Sequence, residues 1–204
     1  MTDPTTTTSR TYDRVAAEYH AKRLDRSIIQ TRLDQLSALL TPTARILDLG
    51  CGPGFDSAAI RQRGHCAIGA DLSSGMLDFA RRQYPGPYIR TDMRRLPFGP
   101  AFDAVWASAS MLHLEIADFS IALGECFRVL KRGGHLALSL KEGEGQQWEN
   151  GRFSVDAPRF FTYWTDAALD QALGTAGFTT VEQQQSAGLN GPQTWLFRLV
   201  QKPV

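Results

Sequence analysis

Cysteine is scarce in this chain. Cys51, Cys66 and Cys126 are odd in number and widely separated, so they form neither a disulfide framework nor a CxxC metal pair. Reduced thiols and no metal are expected. An excess of charge is also lacking: 22 Lys and Arg stand against 21 Asp and Glu, a formal net of +1. That balance argues against nucleic acid or an anionic membrane as partner, since either calls for a basic excess. No apolar run approaches the ~20 residues needed to cross a bilayer. Residues Met1 to Thr8 lack the basic and apolar regions of a signal peptide, which predicts a cytoplasmic location. Internal repeats and an obvious second domain are missing too. With 204 residues the chain has the size of one globular domain.

What is present is alternation. Residues 1–9 are polar, Thr-rich and aperiodic, and read as a disordered tail. Residues 10–41 read as helical, with Leu33, Leu36, Leu39 and Leu40 at helical spacing and Pro42 as the stop. Apolar runs at 45–49, 66–71, 87–91, 102–107 and 134–140 read as strands, separated by helical stretches near 55–63, 73–83 and 117–130. Such alternation predicts a parallel sheet with helices on both faces. Residues 141–163 have no clear period and read as a long loop. Thr165 can cap a helix that Gly177 ends, and runs at 178–184 and 194–201 suggest a closing antiparallel hairpin turning through Gly188, Asn190, Gly191 and Pro192.

The most informative segment runs from Ile46 to Gly54, a buried strand leading into Gly50, Gly52 and Gly54 and then a helix. Glycines there permit a tight turn and close approach of a ligand to the backbone. The next strand ends at Asp71, about the ~20 residues on at which an acid can bind ribose hydroxyls. Alone, a glycine loop is often a plain turn; in this order it indicates a nucleoside site. A dinucleotide fingerprint would need glycine at position 55, where Phe55 stands. Asp48, at the strand tip, would repel a pyrophosphate but attract an ammonium group. S-adenosylmethionine has ribose, adenine, an ammonium and no phosphate.

With those residues in place, the chain resembles the class I S-adenosylmethionine-dependent methyltransferases over roughly residues 10–201, in the small-molecule branch related to ubiquinone biosynthesis. The matching segments are Tyr12, Asp13 and Tyr19; Asp48 to Gly54; Asp71 to Met76; Asp92 and Met93, then Leu96 to Phe98; Phe102 and Asp103 through Leu112, His113 and Leu114; and Arg128 to Gly134. The resemblance implies an α/β, Rossmann-like, seven-stranded, mostly parallel sheet with an antiparallel last strand. It implies one methyltransferase domain over 10–204, with N-terminal cap helices in 10–41 and a substrate lid in 141–163.

It also implies site roles. Gly50, Cys51, Gly52 and Gly54 would pack under the methionine part of the cofactor, with Asp48 near its ammonium. Asp71 would bind the ribose hydroxyls, Leu72 and Met76 would flank the adenine, and Asp92 and Met93 would meet its polar edge. Ala107 would approach the amino-acid part, which Tyr12, Tyr19 and Arg23 could close over. S-adenosylhomocysteine would be the product. For a nucleophile that arrives protonated, His113 is the best-placed general base, although a structural hydrogen bond is the plainer use of such a residue.

Six rings crowd the segment after the fifth strand: Trp148, Phe153, Phe160, Phe161, Tyr163 and Trp164. Trp148, Phe160, Phe161 and Tyr163 are the candidate substrate contacts; ordinary core packing is the alternative. Glu142, Glu144, Glu149 and Asp156 outnumber Lys141 and Arg152, which predicts a neutral or amine acceptor. The expected partner is a small-molecule acceptor and the expected state a monomer or homodimer. Competing readings are a methyltransferase acting on protein or RNA, a nucleotide-dependent oxidoreductase, and a cofactor-binding protein without catalysis.

Overall fold

The structure is a computed structural model describing residues 3–22, 25–151, 153–187 and 193–204. Four parallel strands form most of its sheet: β1 (Arg45–Leu49), β2 (Cys66–Asp71), β3 (Tyr88–Arg90) and β4 (Phe102–Ser108). β5 (Leu130–Lys141) extends it in parallel, and β8 (Thr179–Ala187) and β9 (Thr194–Gln201) complete it in the order β3-β2-β1-β4-β5-β9-β8. β9 runs antiparallel to both neighbours. The expected seven-stranded sheet with an antiparallel last strand is therefore found. The expected turn residues between β8 and β9 (Gly188, Asn190, Gly191 and Pro192) lie outside the described residues.

Alternation along β4 shows why both sheet faces are covered. Ala104 and Trp106 join Leu33, Leu36, Ala59 and Ile60 on one side, from α2 (Ser27–Ala38) and α3 (Phe55–Gln62). Val105 and Ala107 join Phe119, Leu123, Leu169 and Leu173 on the other, from α5 (Ile116–Val129) and α6 (Asp166–Thr175). A strand buried on both faces reads as a continuous apolar run, as it does here.

Two expectations are corrected. Residues 4–9, read as a disordered tail, are the first turns of α1 (Pro4–Ala21). Asp3 caps that helix by accepting from Thr5 N–H at 3.2 Å, and Pro4 starts it where no N–H is needed. Thr5, Thr8 and Thr11 are buried rather than solvated. Thr8 Oγ1 accepts from Phe160 N–H at 3.0 Å, and Thr11 Oγ1 donates to the Pro158 carbonyl at 2.7 Å. The helical residues within 10–41 belong to α1 and α2.

Residues 141–163, read as a loop, contain a two-stranded ladder. β6 (Gln146–Glu149) pairs antiparallel with β7 (Arg159–Thr162), Trp148 opposite Phe160 and Glu149 opposite Arg159. All four β7 residues are buried and β6 is mostly exposed, so neither strand shows the period-2 signal. Between β2 and β3, α4 (Ser74–Gln83) is tied to α1 by Asp13, which accepts from Ser73 Oγ at 2.7 Å and Gly75 N–H at 2.8 Å.

Candidate functional site

A cleft of about 760 Å³ opens at the C-terminal ends of the parallel strands, where ligands of open α/β sheets bind. Its floor is the turn after β1. Gly50 and Cys51 N–H both donate to the Ala70 carbonyl, at 2.7 and 3.0 Å, folding the turn back onto β2. Gly50 has φ +73°, and a Cβ there would lie 2.2 Å from that of Ser110. Ser110 Oγ fills the space and donates to the Leu49 carbonyl at 2.6 Å. Gly52 also has positive φ, +52°, but a Cβ on it would meet nothing within 4 Å, so this backbone faces open cleft.

Asp71 ends β2 on the cleft wall. One carboxylate oxygen accepts from Gly52 N–H at 2.8 Å and the other from Ser73 N–H at 2.8 Å. The acid thus ties the glycine turn to the start of α4, with lone pairs left for further donors. Burial pushes its carboxyl above the ordinary range. Cys51, Gly52, Leu72, Met76, Met93, Tyr12 and Tyr19 share the cleft wall.

Other sequence-chosen residues are placed differently. Asp48 is 2% exposed beneath the turn, off the cleft wall, and accepts from Ser57 Oγ at 2.5 Å. Burial, and then the neighbouring Asp56, push its carboxyl up to about 8. Its neighbour Asp56 does line the cleft, paired with Arg26 and accepting from Trp106 Nε1 at 3.0 Å. Gly54 is the N-cap of α3, off the cleft wall. Asp92 lines the cleft, but Arg94 grips both its oxygens at 2.6–3.0 Å. The same guanidinium holds Asp3 at 3.0 Å and Asp118 at 2.7 Å. Ala107 is fully buried in β4, and Ser108, Ala109 and Ser110 reach the cleft instead. Arg23 lies outside the described residues.

His113 lines the cleft with both nitrogens occupied. Nδ1 is 2.6 Å from the Phe160 carbonyl and Nε2 is 2.9 Å from the Tyr12 hydroxyl. A carbonyl only accepts, so Nδ1 carries the proton and Nε2 accepts from Tyr12. Burial pulls the imidazole from 6.5 to about 4, which keeps it neutral.

Of the four aromatic substrate candidates, Phe161 alone is on the cleft wall. Trp148 is 46% exposed and packs edge-on against Phe160, 5.5 Å between centroids. Phe160 is buried off the cleft, and the Tyr163 hydroxyl donates to Glu149. Residues passed over in the sequence stand beside Phe161: Lys141, Glu149 and Arg159. Lys141 Nζ lies 3.7 Å from the Phe161 ring centroid and 2.6 Å from Glu149 Oε1. Although burial works to raise it, Lys141 and Tyr163 hold the Glu149 carboxyl below its ordinary range. The available signal was a lone arginine leading an apolar pair, Arg159-Phe160-Phe161.

Comparison with known proteins agrees with this architecture. A family described as a methyltransferase domain matches residues 47–138. The malonyl-[acyl-carrier protein] O-methyltransferase of Herminiimonas arsenicoxydans is 34% identical over 182 residues, covering 86% of this chain and 68% of that protein. The biotin biosynthesis bifunctional protein BioHC of Cellvibrio japonicus (strain Ueda107) is 37% identical over 175 residues, covering 82% of this chain. The chain spans 32% of the length of BioHC and 53% of the malonyl-[acyl-carrier protein] O-methyltransferase of Enterobacter lignolyticus (strain SCF1). Among solved structures, 1,6-didemethyltoxoflavin-N1-methyltransferase of Burkholderia thailandensis, with its substrate and S-adenosylhomocysteine bound, superposes with a TM-score of 0.77. It is 21% identical and covers all (100%) of this chain and 92% of its own.

Proposed function

The chain belongs to the class I S-adenosylmethionine-dependent methyltransferases, and we propose that it transfers the methyl group of S-adenosylmethionine to a small-molecule acceptor by direct displacement. The observation that carries this is one continuous cleft running from Gly52 and Asp71 to Lys141, Arg159 and Phe161. It has a nucleoside end and a separate charged, aromatic end.

The residues present fit the cofactor. Open space over Gly52 admits its amino-acid part, and the unused lone pairs of Asp71 suit two ribose hydroxyls. Leu72, Met76 and Met93 offer apolar walls for adenine, and Tyr12 and Tyr19 flank the same cleft. When bound, S-adenosylmethionine supplies a methyl carbon already activated by a sulfonium leaving group, with S-adenosylhomocysteine as product. The protein's task is then alignment and exclusion of water. The β6–β7 ladder and Lys141 serve as the acceptor-side cover in this reading.

A second reading narrows the acceptor to a malonyl group on acyl-carrier protein. It is favoured by the names of relatives 34% identical to this chain. Calorimetry with S-adenosylhomocysteine, followed by transfer of labelled methyl to metabolite fractions and to malonyl-acyl-carrier protein, tests both. Absence of cofactor binding would refute the function. Transfer to the carrier-bound acyl group alone would select the second reading.

A further inference from the structure

Among the described residues, the buried side-chain atoms that line the cleft without a hydrogen-bond partner are Thr5 Oγ1 and Nε of Arg26, Arg32 and Arg159. Arg26 and Arg32 have partners at other nitrogens, Asp56 and, at 2.9 Å, Ser186. Arg159 belongs to the acceptor end, 5.0 Å from the Phe161 ring centroid. Thr5 stands apart from all three. It is 9% exposed in the first turn of α1, and its hydroxyl is the one polar atom of its side chain. Thr8 and Thr11, buried on the same helix, both have their hydroxyls bonded. A buried hydroxyl left unpaired costs stability, and a ligand that completes it recovers that cost.

The place of Thr5 in the cleft follows from Arg94. Asp3, which accepts from Thr5 N–H, receives Arg94 Nη2 at 3.0 Å, and the same nitrogen donates to Asp92 Oδ2 at 2.6 Å. One guanidinium therefore brings the start of α1 against the segment after β3, and Thr5, Asp92 and Met93 share the cleft wall. Asp92 is the acid expected at the polar edge of the adenine. Its Oδ1 already accepts from Arg94 backbone N–H at 2.9 Å and from Nε at 3.0 Å. Its Oδ2 accepts from Nε at 3.0 Å and Nη2 at 2.6 Å. A carboxylate offers about four lone-pair sites, so these contacts leave none for an amino group.

We propose that Thr5 reads the adenine base: its hydroxyl accepts a hydrogen bond from the 6-amino group, while Asp92 is spent on holding Arg94. This rests on the cofactor reading above. The apolar walls offered by Leu72 and Met76 are blind to a 6-amino group, whereas a buried hydroxyl that needs a partner is not. Asp3 and Arg94 hold the first turn of α1 in place, so residues that read as a tail in the sequence become part of the nucleoside subsite.

The test is calorimetry on the full chain with two probes, S-adenosylhomocysteine and its analogue whose base lacks the 6-amino group. The wild type should bind the analogue about tenfold more weakly. T5V keeps the shape and loses the hydroxyl. It should bind S-adenosylhomocysteine about tenfold more weakly than the wild type does, and should bind the two probes within about threefold of each other. T5S should retain the wild-type preference. Without ligand, T5V should melt no lower than the wild type, because it removes an unpaired buried hydroxyl. Equal affinity of the wild type for the two probes, or a wild-type preference that persists in T5V, would overturn the inference and return the amino group to Asp92 or another acceptor. A lower melt in T5V with unchanged affinity for S-adenosylhomocysteine would make Thr5 purely structural and overturn it equally. If T5V does not fold, the wild-type preference and that of T5A decide. Failure of the wild type to bind either probe would bring down the cofactor reading as well.

Discussion

The Tyr12 hydroxyl donates to Nε2 of His113 at 2.9 Å, while the imidazole Nδ1–H donates to the Phe160 carbonyl at 2.6 Å. One neutral histidine thereby joins α1, the turn after β4 and the β6–β7 ladder on one side of the cleft. It positions Tyr12 and has no lone pair left for a substrate proton.

Burial of that imidazole sets a pH dependence. The His113 pKa falls from 6.5 to about 4 in the folded state, so between those values the unfolded chain binds the additional proton. Its contribution to stability is complete above about 6.5 and is lost as pH falls towards about 4. Over that window the loss should be on the order of 3 kcal/mol. Urea melts from pH 7 to pH 4 should show it, and His113→Gln should flatten the slope. An equal slope in the variant would assign the effect to other groups.

Asp48 has the opposite sign. Its pKa is raised from 3.8 to about 8, so its contribution is complete below 3.8 and is lost as pH rises through about 8. Asp48→Asn, which mimics the protonated acid beside Ser57, should therefore be more stable than the wild type at pH 8 and no more stable at pH 4. Because Asp48 lies beneath the turn, affinity for S-adenosylhomocysteine should change by less than about threefold. A tenfold loss would return Asp48 to the cofactor's ammonium.

Asp71→Ala removes the acceptor for Gly52 and Ser73 N–H together with the lone pairs that face the cleft. S-adenosylhomocysteine should bind about tenfold more weakly or worse, at roughly 1.5–3 kcal/mol for each charge-assisted bond lost. Calorimetry on the folded variant checks this; unchanged affinity would move the ribose elsewhere.

The two ring candidates should now separate. Phe161→Ala should lower acceptor turnover strongly and cost about 3–5 kcal/mol of stability, since the ring is 3% exposed and lines the cleft. Trp148→Ala, at 46% exposure and off the cleft, should leave both nearly unchanged. Matching losses in the two variants would restore Trp148 as a substrate contact.

What the sequence determined by itself is local. The turn after β1 needs positive φ at Gly50 and Gly52, the run of β4 is apolar because both faces are covered, and Thr165 caps α6; each is legible within a few neighbouring residues. Strand–helix alternation then leaves few topologies, which is why the sheet was foreseen. The acceptor end was decided only by tertiary structure. Thr8 and Phe160 meet across 152 positions and His113 and Phe160 across 47, and the Thr-rich start is helical because those contacts bury it. Arg159 and Asp48 show the reason most plainly. Whether a charge is buried, and whether another side chain answers it, depends on what folding brings within about 4 Å, and no local pattern encodes that distance.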